Sequence, residues 1–309
     1  MSSPSSDSSP LVALSNNLAD AVEEVGRFVV AVRGRSRFAV SGIHWQPGVI
    51  VTSDRAIKRE NEIAVTLPDG STASCTLAGR DSSTDLAVLK LPNSQLPVPE
   101  IGDTSSLRVG NIVLAVGRSS EGGTIASTGS VSAIGGPWRN WCGGAIDQFV
   151  RLDLTLYPGL DGSALADASG RIAGINISGP RHMTLTIPTA TANKVIEQLL
   201  EKGRIKRGYL GLGMQSVLLP IALKQALNLS RDGGVIVVSI EAGGPGDRAG
   251  ILLGDILLAL DGIPVSDTGD VLAVLAGSGA GQPIGVQLIR GGNLLELSLT
   301  VGDRPGSDD

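Results

Sequence analysis

VIVTSDRAIKRENEIAVTLPDGSTASCTLAGRDSSTDLAVLKL, residues 49–91, decides the fold. It contains three short apolar runs, GVIVT (48–52, reaching back one residue), EIAVTL (62–67) and LAVLKL (86–91), each bounded by polar or turn-forming residues. None carries the three-to-four-residue spacing of an amphipathic helix, and the first two are rich in the β-branched residues that suit strands. Asp69-Gly70 lies between EIAVTL and the segment that follows, a dipeptide that favours the tight turn of a hairpin. Outward from this stretch the pattern repeats in FVVAV (28–32), NIVLAVG (111–117), GSVSAIG (129–135), FVRLDL (149–154) and RIAGINI (171–177). Many short strands without intervening helices predict an antiparallel sandwich or barrel.

Two helices flank this β region. Leu14, Leu18, Val22 and Val25 lie one helical turn apart within 11–25, with Asp20, Glu23 and Glu24 facing outward. From Thr189 onward, Ala190, Val195, Ile196, Leu199 and Leu200 supply one apolar face, and Gly203 is placed to end the helix. A second unit then begins at Gly208. Its predicted strands are GGVIVVSI (233–240), DILLAL (255–260), PIGVQLI (283–289) and LLELSLTV (294–301), with short helices over 221–227 and 268–276. The organisation predicted is a disordered tail at 1–10, a β domain at 11–203, a basic linker at 204–207, a second domain at 208–303 and a tail at 304–309.

At 309 residues the chain suits two domains better than one core. Hydrophobic residues make up 42% and charged residues 18%, which excludes a disordered chain. A net charge of −5 with no basic cluster beyond Lys202, Arg204, Lys206 and Arg207 argues against nucleic acid as the partner. The two cysteines, Cys75 and Cys142, are too few for a disulfide-built exported scaffold. No leader pattern and no apolar run of the ~18 residues that a membrane helix needs is found, so a cytoplasmic location without a membrane span is expected. No metal-ligand cluster and no phosphate-cradling glycine loop is seen, so no metal and no cofactor is expected.

DLAVLKL (85–91), GSVSAIG (129–135), PGLDGSAL (158–165), RIAGINI (171–177) and the step Ile187-Pro188 follow one another as in the HtrA/Deg serine proteases. The resemblance covers roughly residues 15–302. It implies a mostly β fold: a trypsin-like, chymotrypsin-type pair of six-stranded barrels with a cleft between them, followed by a PDZ domain. GYLGL (208–212) resembles the PDZ carboxylate-binding loop, and GGPGDRAGILLGDILLALDG (243–262) resembles the segment that follows it. The resemblance also implies a homo-oligomer, a trimer through the protease domains.

The triad positions depart from the family. Asp85 matches the family's aspartate, but Arg55 in VIVTSDRAI (49–57) stands at the histidine position. Arginine is not deprotonated near neutral pH and cannot serve as general base. Asp161 in PGLDGSAL stands at the serine position, where a carboxylate is a weak nucleophile toward an amide. The N–H groups of Gly159 and Asp161 then become the remnant of an oxyanion loop, expected to face a resident anion. Ser163 reads as a turn residue, and His44 is expected to face solvent or a turn. His182 falls in a hairpin loop near the family's specificity pocket. One arrangement expected for Arg55 is between Asp85 and Asp161, closing the cleft; the other is pointing to solvent.

The function expected is that of a pseudoprotease that binds peptide C-termini or unfolded segments, a scaffold or regulator in quality control, in company with active HtrA relatives. Tyr209, Leu210, Gly211 and Leu212 are the candidate carboxylate loop, and Val271, Leu272 and Leu275 the candidate side-chain pocket. Two alternatives stay open: an active endopeptidase with a non-standard catalytic arrangement, and a peptide chaperone that uses the cleft.

Overall fold

The computed structural model describes residues 9–34, 39–58, 62–140, 143–205 and 208–303. Residues 1–8 and 304–309 of the expected tails, the Lys206–Arg207 part of the linker and Cys142 lie outside the described residues, and Ser9 and Pro10, expected in the first tail, instead cap and open a helix. The chain forms two compact units that divide between Ile205 and Lys206.

Helix α1 (Pro10–Gly26) opens the first unit, with Pro10 in its first turn and Ala21 and Val25 buried. Six strands follow: β1 (Val29–Arg33), β2 (Val40–Gln46), β3 (Val49–Ser53), β4 (Ile63–Thr66), β5 (Thr72–Asp81) and β6 (Leu86–Lys90). They close into a barrel in the order β1-β2-β3-β6-β5-β4. The turn at Asp69-Gly70 joins β4 to β5, as the dipeptide predicts. The second barrel is built from β7 (Ile112–Arg118), β8 (Thr124–Gly135), β11 (Phe149–Asp153), β12 (Ala164–Asp167), β13 (Ile172–Ser178) and β14 (Thr184–Pro188). Its order is β11-β14-β13-β12-β7-β8, and a small hairpin of β9 (Trp138–Arg139) and β10 (Ala145–Ile146) extends from it. Several runs read as continuous rather than alternating because β3, β7, β13 and β14 are buried on both faces.

Helix α2 (Thr189–Lys202) packs Val195, Ile196 and Leu199 into the same core as Val25 of α1, Leu86 of β6 and Ile175 of β13. It ends at Gly203 in a left-handed conformation, with the Gly203 N–H donating to Leu199. Arg118 at the end of β7 is only 3% exposed. Its guanidinium donates to the carbonyls of Val29 at 2.7 Å, Gly122 at 2.5 Å and Gly26, tying the end of α1 to the barrel. Burial holds its pKa below the usual arginine value.

The second unit contains β15 (Gly208–Tyr209), β16 (Leu212–Leu218), α3 (Ile221–Ala226), β17 (Gly233–Ile240), α4 (Pro245–Arg248), β18 (Ile256–Leu260), β19 (Ile263–Pro264), α5 (Thr268–Gly277), β20 (Pro283–Arg290), β21 (Asn293–Thr300) and β22 (Gly302–Asp303). Its main sheet runs β16-β17-β18-β20-β21, so β16 is an edge strand, and β15 pairs with β22. Asp267 caps α5 in a reciprocal capping box with Asp270. Asp255, 2% exposed, is held by Arg290 through Nε at 2.9 Å and Nη2 at 2.7 Å. Removing one partner strands a buried charge. Arg290→Met is therefore expected to destabilise this unit by about 3 kcal/mol in urea unfolding, whereas a change under about 0.5 kcal/mol, the range of ordinary surface substitutions, would refute the assignment.

Candidate functional site

Asp85 sits where a tight turn ends. The Asp81 carboxylate accepts from the Ser83 N–H, from Ser83 Oγ at 2.8 Å and from Thr84 Oγ1 at 2.7 Å, folding the chain back before β6. Asp85 then takes φ +60°, a conformation that aspartate tolerates better than most residues. Asn140 braces this turn from the hairpin side, its Nδ2 donating to the Ser83 carbonyl while its Oδ1 accepts from the Gly144 N–H at 2.9 Å. Asp85 is 6% exposed. Its carboxylate accepts from Ser53 Oγ at 3.1 Å, from the Arg55 N–H at 3.1 Å, and from the Arg55 side chain through Nε at 2.8 Å and Nη2 at 2.5 Å.

Arg55 therefore faces Asp85, as one of the two expected arrangements requires. Toward Asp161 the two side chains meet at Ser178: Arg55 Nη2 donates to the Ser178 carbonyl at 2.6 Å, and Asp161 Oδ1 accepts the Ser178 N–H at 2.9 Å. The physical reason is that the end of β13 offers both a donor and an acceptor between the two side chains, and each takes its complement. Half of the Arg55 side chain remains exposed. Burial pushes the Asp85 carboxyl above its usual range; the hydrogen bonds and charge of Arg55 oppose this, and the charge of Asp161 adds to it.

The loop that carries Asp161 is fixed by groups with no chemistry of their own. Ser41 Oγ donates to the Gly159 carbonyl at 2.6 Å and accepts the Arg118 N–H at 3.0 Å, and the Ser41 N–H donates to the Asp161 carbonyl at 2.9 Å. Gly162 has φ +76°, and a Cβ there would lie 2.4 Å from the Ser41 carbonyl oxygen, so only glycine fits. Gly159 and Asp161, the expected oxyanion remnant, lie together on this loop. Among the described residues their N–H groups donate to no backbone carbonyl, and the Asp161 carboxylate is turned to Ser178 rather than to them.

Ser163 is fully buried, its Oγ accepting from Asn176 Nδ2 at 3.2 Å. It closes the 160–163 turn as expected, its N–H donating to the Leu160 carbonyl at 3.1 Å, and its side chain joins a core network with Asn176 and Thr186. His44 corrects its expectation: it is fully buried, not turned to solvent. Its Nε2 accepts the Gly48 N–H at 3.1 Å, so Nδ1 carries the proton and donates to the Pro97 carbonyl at 2.9 Å. A ring engaged on both nitrogens serves the loop at 94–97, not a nucleophile. His182 lies in a short 3-10 turn, Pro180–His182. Cys75 is buried and unpaired, and burial pushes its thiol up to about 11. Among the described residues no cluster of His, Cys, Asp or Glu is placed to hold a metal ion, and no helix is long and apolar enough to cross a membrane.

Sequence reasoning found Asp85, Arg55 and Asp161 but missed Ser178 and Ser41. Ser178 acts through its backbone alone, which no residue-type signal reveals.

In the second unit, Tyr209, Leu210, Gly211 and Leu212 form the turn from β15 into β16. Gly211 has φ +69°, and its carbonyl accepts the Glu241 N–H at 2.9 Å, while the Leu210 carbonyl accepts the Gly246 N–H at 2.7 Å. With both carbonyls turned inward, the N–H groups of Leu210 and Gly211 donate to no carbonyl among the described residues. On α5, Val271 and Leu275 belong to the core, 0% and 5% exposed, whereas Leu272 is half-buried. Of the three expected pocket residues only Leu272 keeps part of its surface exposed, and Leu212 and Met214 on β16 are likewise half-buried. Helical geometry explains the shift, because the helix turns Val271 and Leu275 together toward the sheet.

Residues 40–175 match the trypsin-like peptidase domain, and residues 208–301 match the PDZ domain. The solved structure of the HtrA-type protease AlgW with tripeptide is 30% identical, with a TM-score of 0.72, over 94% of this chain and 98% of that one. The chain belongs to the HtrA-type serine protease family. Another HtrA-like structure, the serine endoprotease from Yersinia pestis, is 28% identical with a TM-score of 0.73, covering 98% of this chain and 100% of its own. A probable periplasmic serine endoprotease, DegP-like, from Brucella suis biovar 1 is 34% identical over 269 residues, 84% of this HtrA-type chain and 51% of that protein. The chain thus spans about half the length of the curated HtrA relatives it matches. Similar proteins from Rhizobium meliloti and Ectopseudomonas mendocina are also named periplasmic. These relatives overturn the expectation of a cytoplasmic location, which rested on a leader pattern not being found in the sequence as written.

If the Arg55–Asp85 pair holds this HtrA cleft together, Arg55→Ala should destabilise the first unit by about 1–3 kcal/mol, the cost of a buried polar group left unmatched. The loss should be largest at neutral pH. The folded-state pKa of Asp85 already lies above its unfolded value, and without Arg55 it rises further, so protonation on acidification favours the folded state and shrinks the difference. Urea titrations across weakly acidic to neutral pH, with exposed Arg171→Ala as control, measure both effects; a loss equal to the control's at every pH would contradict the role assigned to Arg55.

Proposed function

We propose that this chain is an HtrA-type pseudoprotease that works by binding peptides through its PDZ domain. The observation that carries the proposal is Arg55, standing where the family's general base belongs and ion-paired with Asp85. A guanidinium cannot accept the proton of a nucleophile, and the residue at the nucleophile's position, Asp161, already accepts the Ser178 N–H. The relatives are named endoproteases, and the departure of this chain from them rests on those two positions. Ser163 and His44 support no rebuilt catalytic pair, since both are buried in other hydrogen bonds.

Hydrolysis of casein tests the reading. The wild-type chain should show no turnover, and Arg55→His with Asp161→Ser should gain it, because the loop that carries residue 161 keeps its shape through Ser41 and Gly162. Turnover by rigorously purified wild type would overturn the proposal and favour the endopeptidase reading that the relatives' names support.

The peptide-binding half of the proposal rests on the N–H groups of Leu210 and Gly211, which donate to no carbonyl among the described residues and lie beside edge strand β16; together they suit a terminal carboxylate on an added strand. We assign the chain a role as scaffold or regulator in protein quality control, as an oligomer, in company with active HtrA relatives and in the compartment for which its relatives are named, the periplasm. Peptides with a free C-terminus should bind at least about tenfold more tightly than their amidated forms, a difference of about 1.4 kcal/mol. Leu272→Ala should weaken binding without unfolding the unit. Equal affinity for both peptide forms in fluorescence anisotropy would refute the carboxylate assignment.

A further inference from the structure

Strand β13 outruns its neighbour β12. Asn176 makes the last backbone contacts on that side: its N–H donates to the Ser163 carbonyl at 2.9 Å, and its carbonyl accepts the Gly162 N–H at 2.9 Å. Residues two apart on a strand point their N–H and C=O groups the same way. Ser178 therefore presents a donor and an acceptor to the same side, beyond the end of β12. The ladder continues there with side chains in place of a strand. Asp161 Oδ1 takes the Ser178 N–H at 2.9 Å, and Arg55 Nη2 gives to the Ser178 carbonyl at 2.6 Å. Asp85 holds the guanidinium from behind.

An unpaired N–H and C=O on a strand edge form a template to which an extended polypeptide adds as a new strand. We propose that Arg55 and Asp161 act together as a built-in cap on this edge, an autoinhibitory contact that keeps extended polypeptide out of the cleft. The excluded ligand is an internal peptide segment, recognised through its backbone and needing no free carboxylate. The pseudoprotease reading concerns chemistry, and the cap concerns access, so each can fail without the other. The cap also separates the two units by ligand class: chain ends for the PDZ groove, and nothing for the cleft until the cap is lifted.

The probe is an eight-residue Val/Thr-rich peptide, acetylated and amidated at its ends and carrying a fluorophore, titrated with the full chain. The wild type should leave it unbound, and so should Asp161→Asn, which keeps an acceptor oxygen for the Ser178 N–H. Arg55→Ala combined with Asp161→Ala should bind it at least tenfold more tightly than the wild type. In parallel, hydrogen exchange at the Ser178 amide should be slow in the wild type and at least tenfold faster in Asp161→Ala; this readout carries the test if the double variant does not fold. Binding by the wild type without cleavage would overturn the cap and leave the pseudoprotease reading standing. A folded double variant that still ignores the peptide, or a Ser178 amide no faster in Asp161→Ala, would also overturn it.

Discussion

Every N–H and C=O taken out of water needs a partner, and this constraint shapes the first unit more than any other. Closing six strands into a ring satisfies it nearly everywhere, and the unit does so twice. One strand end that the rings leave over, among the described residues, lies where β13 extends past β12. In this chain the edge is filled by Arg55 and Asp161, and the residues that break the catalytic pattern are the ones that complete the hydrogen bonding.

Electrostatics follows the same logic. Asp85 is buried, and a buried carboxylate survives only beside a cation or several donors. A histidine meets that need only when it is charged or oriented by its own N–H. Arginine meets it permanently, through Nε, Nη2 and its own backbone N–H. On the pseudoprotease reading proposed above, arginine at this position gives up proton transfer and keeps the support of the carboxylate. Because half of the Arg55 side chain remains in water, the pair is a clamp at the cleft surface rather than a sealed core element.

Much of the architecture was legible in the sequence, because its signals are local. Asp69-Gly70 marked a hairpin, Gly203 a helix end, and the ordered motifs from DLAVLKL to RIAGINI marked the paired barrels. Asp85, Arg55 and Asp161, which the structure gathers around Ser178, could be singled out for the same reason, each lying inside a recognisable strand or turn. What escaped was set by tertiary geometry. His44 reads as a polar residue on an exposed strand, yet the loop at 94–97 folds over it and supplies its partners. Val271 and Leu275 read as groove residues, but the roll of α5 turns them into the core and leaves Leu272 at the surface. Ser178 escaped entirely, because its contribution is a peptide group that any residue type would bring.

The loop around Asp161 separates shape from chemistry. Its path is fixed by Gly162, which no other residue can replace without striking the Ser41 carbonyl, and by Ser41 itself, which holds Gly159 and Asp161 from an adjacent strand. The residue at 161 adds to this frame only its carbonyl, which any residue type brings, and one side-chain bond to Ser178. A lineage can therefore lose or regain a reactive group at this position by point mutation while selection for folding guards the frame around it. The scaffold stores the outline of an active site as a structural necessity, independent of whether hydrolysis is under selection, and this leaves the chemistry free to drift long after the architecture has become immovable.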